Sequence, residues 1–184
     1  AGWDDKDGNG ILEREVDGQM VEFEFTLTIF GSSKEYKTIG DIFKEDLAKI
    51  GVKMNVQPTE WSLLLKKTNS KEFDAVTLAW VSGPDVDFRQ IWHSEQADVP
   101  QSSNYISFKN EKADEIIEAL EVEFDDKKRI ELAHQFHSLL YEEQPYTFFF
   151  TRRSMFYWNP KLKNVKAQVT RPYLNSRAWY AQEN

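Results

Sequence analysis

Two carboxylates, Asp85 and Asp87, stand two residues apart just after Ser82-Gly83-Pro84. Acids at close quarters can divide into a general acid and a general base, the chemistry of a small hydrolase. The same spacing fits a turn followed by a helix cap, with Asp87 capping a short helix from Phe88 to Trp92. Both readings stay open on the residues alone. His134 and His137 lie three apart on one helix face, but a metal site needs a further ligand and no zincin pattern supplies one. His137 also falls on the apolar stripe of its helix. The run Asp5-Lys6-Asp7-Gly8-Asn9-Gly10 matches the start of a calcium loop, with Asp5, Asp7, Asn9 and Glu13 as weak candidate ligands. It fails at the twelfth position, where Val16 stands in place of a bidentate Glu, so an Asp/Asn/Gly turn explains it better. Arg152 and Arg153 interrupt an aromatic run; one of them facing a cleft would bind a carboxylate, but the simpler reading, which we favour, puts both at a strand end in solvent. Nucleophilic catalysis finds no support: there is no Cys, no Gly-x-Ser-x-Gly elbow and no Ser-x-x-Lys, and no phosphate-binding glycine motif appears.

The elements that would position these residues read as a βαβαβ unit. Val21 to Phe30 alternates apolar and polar residues, the pattern of a strand covered on one side. Glu35 to Ile50 is a helix on the stripe Tyr36, Ile39, Phe43, Leu47 and Ile50, stopped by Gly51. Val52 to Gln57 is a strand, and Thr59 is placed to cap a helix from Glu60 to about Thr68. Phe73 to Trp80 is a nearly continuous apolar run, the signature of a central strand. Such units make mainly parallel sheets flanked by helices, so the fold class is α/β. Open sheets of this kind bind ligands beyond the carboxyl ends of their strands, which puts Trp80, Val81, Ser82, Gly83, Asp85 and Asp87 at the candidate site. Glu95 to Asn110 is a polar loop in which Tyr105 sits on a stretch that forms a short strand or lines a cleft. Two helices follow, the second capped at Asp125-Asp126 and running to about Glu143 on Ile130, Ala133, Phe136, His137 and Leu140. Tyr146 to Trp158 is aromatic and β-prone, read as one strand or two. The remainder has no clear period.

Composition narrows the classes. A net charge of −8, with no basic run, argues against nucleic acid. The absence of Cys excludes a disulfide scaffold and thiolate metal sites. No apolar run approaches the roughly 20 residues that span a bilayer. Aromatic residues make up 14% of the chain, a surplus suited to lining a cleft or a protein interface. The chain opens at Ala1 without Met or a signal peptide, and more chain is expected upstream.

The order of these features resembles the C-terminal lobe of the family 5 extracellular solute-binding proteins, the peptide and nickel receptors of bacterial ABC transporters. Gly2-Trp3 with the Asp-Gly-rich run, Leu47 to Val52, Phe73-Asp74-Ala75 to Trp80 with Pro84 to Asp87, Asn104-Tyr105 to Asn110, Asp114 to Ile117, the Arg129 helix and Glu143 to Tyr146 follow the family sequence nearly end to end. The resemblance implies one lobe of a class II periplasmic-binding-protein-like fold. Residues 1–20 would be a lead-in, 21–158 the ligand-binding lobe, and 159–184 a tail returning toward another lobe. It implies a peptide or other small solute, no cofactor, no enzymatic turnover, and an ABC permease as partner. It places the protein in the periplasm or at the cell surface, meeting the membrane only through that permease or a lipid anchor. In peptide-binding relatives an acidic residue three past the Trp holds the peptide amino group. That position here is Gly83, with Asp85 the substitute if the loop is one residue short.

Overall fold

The computed structural model describes residues 2–81, 87–151, 153, 155–168, 173–174 and 176–182. The chain divides into two compact units, Ala1–Ala79 with Gln90–Lys109 and Trp80–Arg89 with Asn110–Asn184.

The first unit holds the expected βαβαβ arrangement. Strand β3 (Glu24–Phe30) runs parallel to β4 (Lys53–Thr59) and to β5 (Ala75–Val76), in the order β4-β3-β5. Helices α1 (Lys34–Ala48) and α2 (Trp61–Ser70) are the crossovers. The middle strand is β3 rather than Phe73 to Trp80. Leu27, Thr28 and Ile29 are all buried, so both faces of β3 are covered. The alternation misled because a β-branched Thr packs into a covered face as well as it sits in water. Among the described residues Phe73 to Trp80 contributes only Ala75–Val76 to the ladder, as an outer strand. The Asp74 carboxylate accepts the Thr26 N–H at 2.9 Å, Thr77 N–H donates to the Thr28 carbonyl at 3.0 Å, and the chain then leaves the sheet. Within the run only Thr77 is buried, and Ala79 and Trp80 are exposed, so apolar composition alone did not mark the covered strand.

Leu27, Ile29 and Met54 form the core of this unit, with Phe25, Tyr36, Leu47, Val56 and Ala75 packed against them. Helix α1 starts at Ser33, whose hydroxyl accepts the Tyr36 N–H at 3.3 Å, and its expected stripe is only partly buried: Phe43 and Ile50 stay exposed. Helix α2 is capped by Glu60 rather than Thr59. The Glu60 carboxylate accepts from Ser62 N–H at 2.8 Å and Leu63 N–H at 3.4 Å. Thr59 is held in β4, where it pairs with Phe30. At its other end α2 stops on Lys71, which is left-handed at φ 58° and sends its Nζ to the Ala97 carbonyl and, at 2.9 Å, to the Ser107 hydroxyl.

Three carboxylates of this unit sit below their ordinary range. The Ser62 hydroxyl and the helix N–H groups do this for Glu60, Lys53 and then Asn55 for Glu24, and Lys109 for Asp98. A group whose pKa falls on folding adds stability that is complete above its unfolded pKa and is lost as pH drops through the folded one. The unfolding temperature is therefore expected to hold near neutrality and fall below about pH 4. Glu60→Gln should lower it at pH 7 and shallow the acid limb. A calorimetric pH series that Glu60→Gln leaves unchanged contradicts this account.

Ahead of β3 lies an antiparallel hairpin, β1 (Glu13–Val16) and β2 (Gln19–Glu22). Its turn is Asp17-Gly18, both at positive φ, 51° and 80°, the two-residue turn whose twist suits paired strands. The expected single strand from Val21 thus breaks at Phe23, whose ring stacks 4.6 Å from Trp3. The lead-in docks on the end of α1 through Leu12 N–H to the Gly51 carbonyl at 2.7 Å. Gly51 has φ +78°, and a Cβ there would lie 2.9 Å from Leu12 Cγ. Gly51→Ala is expected to cost about 1–3 kcal/mol in urea unfolding, from left-handed strain and displaced Leu12. A loss below a few tenths would mean that the lead-in is not seated there.

The second unit is built on a helical hairpin, α4 (Glu111–Val122) and α5 (Asp126–Glu143), joined by three residues. Asn110 and Asp125 cap the helices, accepting from Ala113 N–H and from Lys127 and Lys128 N–H. Arg129 Nη1 donates to the Leu120 and Glu123 carbonyls at 2.8 and 2.9 Å, closing the C-terminal end of α4. The buried seam is Ala113, Ile116, Ile117 and Leu120 against Phe136, Leu139 and Leu140. The stripe on α5 differs from the one expected: Ile130 and His137 face solvent, because the seam follows Phe136, Leu139 and Leu140. The described residues of 146–158 form no strand, although their sequence is β-prone; propensity makes a strand only where a ladder partner is available. Phe148, Phe149, Phe150, Met155, Tyr157 and Trp158 are all exposed. Strands β6 (Leu162–Lys163) and β7 (Tyr180–Ala181) pair antiparallel and fold the tail on itself.

Candidate functional site

Trp80 and Val81 lie four and five residues past the end of β5 and are 44% and 60% exposed. They belong to the second unit, as does Asp87, which is exposed. Ser82, Gly83 and Asp85 lie outside the described residues, as does Arg152. Beyond Asp87 the chain is fastened at two successive residues. The Phe88 ring lies 4.9 Å from Phe136 of α5. Arg89 makes a two-toothed pair with Glu121 of α4, Nε to Oε1 at 2.7 Å and Nη2 to Oε2 at 2.9 Å. The expected helix from Phe88 is a single turn, α3 (Arg89–Trp92).

Tyr105 belongs to the first unit and is half-buried, on a turn rather than a strand. Its neighbour Asn104 holds that turn and is fully buried. The Asn104 amide donates to the Phe108 carbonyl at 2.9 Å and the His93 carbonyl at 3.4 Å, and its oxygen accepts the Phe108 N–H at 2.8 Å. Trp92 meets Phe108 edge-on at 5.7 Å. Sequence reasoning singled out Tyr105 and passed over Asn104. The signal was a lone amide in a Ser-rich loop that must satisfy its own backbone.

The side chains of the Asp-rich run are engaged with its own backbone. Asp5 accepts from Gly8 and Gly10 N–H at 2.9 and 3.0 Å, Asp7 from Asn9 N–H at 3.0 Å, and Asn9 from Ile11 N–H at 2.7 Å. Val16 is in β1. Among the described residues no group of three or more His, Asp or Glu is arranged to hold a metal, and His134 and His137 are both exposed. No helix among them is long and apolar enough to cross a membrane.

Residues 1–99 match the bacterial extracellular solute-binding proteins, family 5, in that family's middle region. The chain belongs to this family. The oligopeptide-binding protein AppA of Bacillus subtilis is 31% identical over 182 residues, 98% of this chain and 32% of that protein. The dipeptide-binding protein of Escherichia coli is 24% identical over 74% of this chain and 25% of its own length. The structure of Bacillus subtilis AppA in complex with a nonapeptide superposes with a TM-score of 0.79 at 29% identity, covering 99% of this chain and 35% of that one. The oligopeptide-binding protein of Thermus thermophilus, complexed with a pentapeptide, shares the fold at a TM-score of 0.69 and 22% identity, over 78% of this chain and 26% of its own. The chain thus spans between 20% and 32% of the length of the curated relatives it matches. Its α/β fold is that of family 5 binding proteins, and the family is extracytoplasmic. The relatives are binding proteins rather than enzymes.

Proposed function

We propose that this chain is one lobe of an ABC-transporter substrate-binding protein, forming one wall of a cleft that closes on an oligopeptide. The observation that carries this reading is the agreement in fold along 99% of the chain with a protein solved holding a nonapeptide. Residues 21–158 would be the binding lobe, 1–20 its lead-in, and 159–184 a tail returning toward the rest of the receptor. Trp80, Val81, Ser82, Gly83, Asp85 and Asp87 would contact the ligand from one stretch, with Tyr105 from the loop that Asn104 braces. An exposed indole offers a large, stiff apolar surface, and carboxylates answer a cationic end of a peptide. The exposed aromatic residues between Phe148 and Trp158 suit a segment that the remainder of the receptor covers. The protein would bind without turnover or cofactor and would hand its solute to a permease, reaching the membrane only through that partner or a lipid anchor.

The test is peptide binding by the complete receptor. Trp80→Ala is expected to weaken the affinity for a nonapeptide about tenfold in calorimetry, the loss of one aromatic contact. An unchanged affinity removes Trp80 from the site, and peptide-independent hydrolysis lost in Asp85→Asn would replace binding with catalysis.

A further inference from the structure

We propose that Arg89 is a positioning residue for the ligand-contacting stretch, strapping the chain beyond Asp87 onto the α4–α5 hairpin. This rests on the peptide-binding role of Trp80 to Asp87. None of Phe88, Arg89, Glu121 or Phe136 is itself a ligand contact in that role. The geometry is specific. A guanidinium fork meeting both oxygens of one carboxylate, at 2.7 and 2.9 Å, fixes orientation as well as distance. Its anchor is stiff, because Glu121 lies on the last turn of α4, whose carbonyls at Leu120 and Glu123 are held by Arg129. One residue earlier, Phe88 packs on Phe136, which is 1% exposed. Two successive residues are therefore tied to two different helices, which leaves the segment no free rotation about its own axis.

A half-exposed ion pair adds little to global stability. The Arg89 side chain is 27% exposed and that of Glu121 45%. The consequence of breaking it should be local, and this separates positioning from mere scaffolding. Arg89→Lys keeps the charge and loses the fork. It is expected to raise amide hydrogen exchange across residues 87–92 of the 184-residue chain about tenfold, while exchange in α5 and the unfolding temperature hardly change. Glu121→Gln should do the same, and the reversed pair Arg89→Glu with Glu121→Arg should restore slow exchange. In the complete receptor, nonapeptide affinity should fall about tenfold in each single variant and recover in the reversed pair. Unchanged exchange in both single variants, or a loss spread evenly over both helices, overturns the proposal. So does unchanged affinity beside faster exchange, which would make the strap structural only. Faster local exchange in a receptor whose wild type binds no peptide supports the strap and instead sinks the peptide reading.

Discussion

Titrated with an extended nonapeptide, the 184-residue chain alone is expected to bind at least about 100-fold more weakly than the complete receptor in which we place it. Ligand sites bury roughly 70–90% of a small ligand's surface. One wall leaves the opposite side of the peptide in water, together with every backbone group the other wall would satisfy. The chain must also order Trp80, Val81 and the residues beyond them without help from a closing partner, so part of the contact energy is lost to immobilisation. The measurement is calorimetry on both proteins under one buffer. Sub-micromolar affinity in the isolated chain would show that this wall is a complete site, and the two-walled account would fall.

The second large effect concerns stability. Asn104→Ala is expected to cost about 2–4 kcal/mol in urea unfolding, because it strands buried backbone groups at Phe108 and His93. Asn104 is fully buried and answers three of them at once. No water-sized rearrangement of an Ala side chain replaces both a donor and an acceptor. Trp92 should become more accessible to a fluorescence quencher in the same variant, since its edge contact with Phe108 depends on that turn. Asn104→Asp keeps the acceptor for Phe108 N–H but turns a buried carboxylate oxygen toward two carbonyl oxygens, so it should cost at least as much as Asn104→Ala. A cost under about 0.5 kcal/mol for Asn104→Ala would mean that the turn is held by other contacts.

Much of the fold was readable because helices announce their ends. Gly51 marked the stop after α1, Asp125 the start of α5 and Pro145 its end. The parallel direction of β3, β4 and β5 followed from alternating strand and helix patterns, but not which of them lies in the middle. What was not readable depended on competition between local signals or on long-range pairing. Asp17-Gly18 is a strong hairpin turn, yet the Asp-rich run before it drew Glu13 and Val16, the two ends of β1, into a metal-loop pattern. Thr59 and Glu60 both cap well, and the β4 ladder decided between them by keeping Thr59 extended. Phe73 to Trp80 carried the composition of a middle strand but neither its cover nor its hydrogen bonds: only Thr77 is buried, and only the register with Leu27 and Thr28 shows where the run pairs. The stretch we propose for ligand contact stands out in the sequence through Trp80 and the acids after it. Its supports were not, because Arg89 and Glu121 are 32 residues apart and neither is unusual in its own neighbourhood.

Lys71 has one more implication. A left-handed helix terminus is where protein engineers routinely install glycine to relieve backbone crowding. Here that change would cut the tether from the Lys71 ammonium to the Ala97 carbonyl and the Ser107 hydroxyl. The residue that looks least suited to its dihedral angles is also a cross-link across the loop, so sequence-averaging strategies for hardening this lobe should leave it in place.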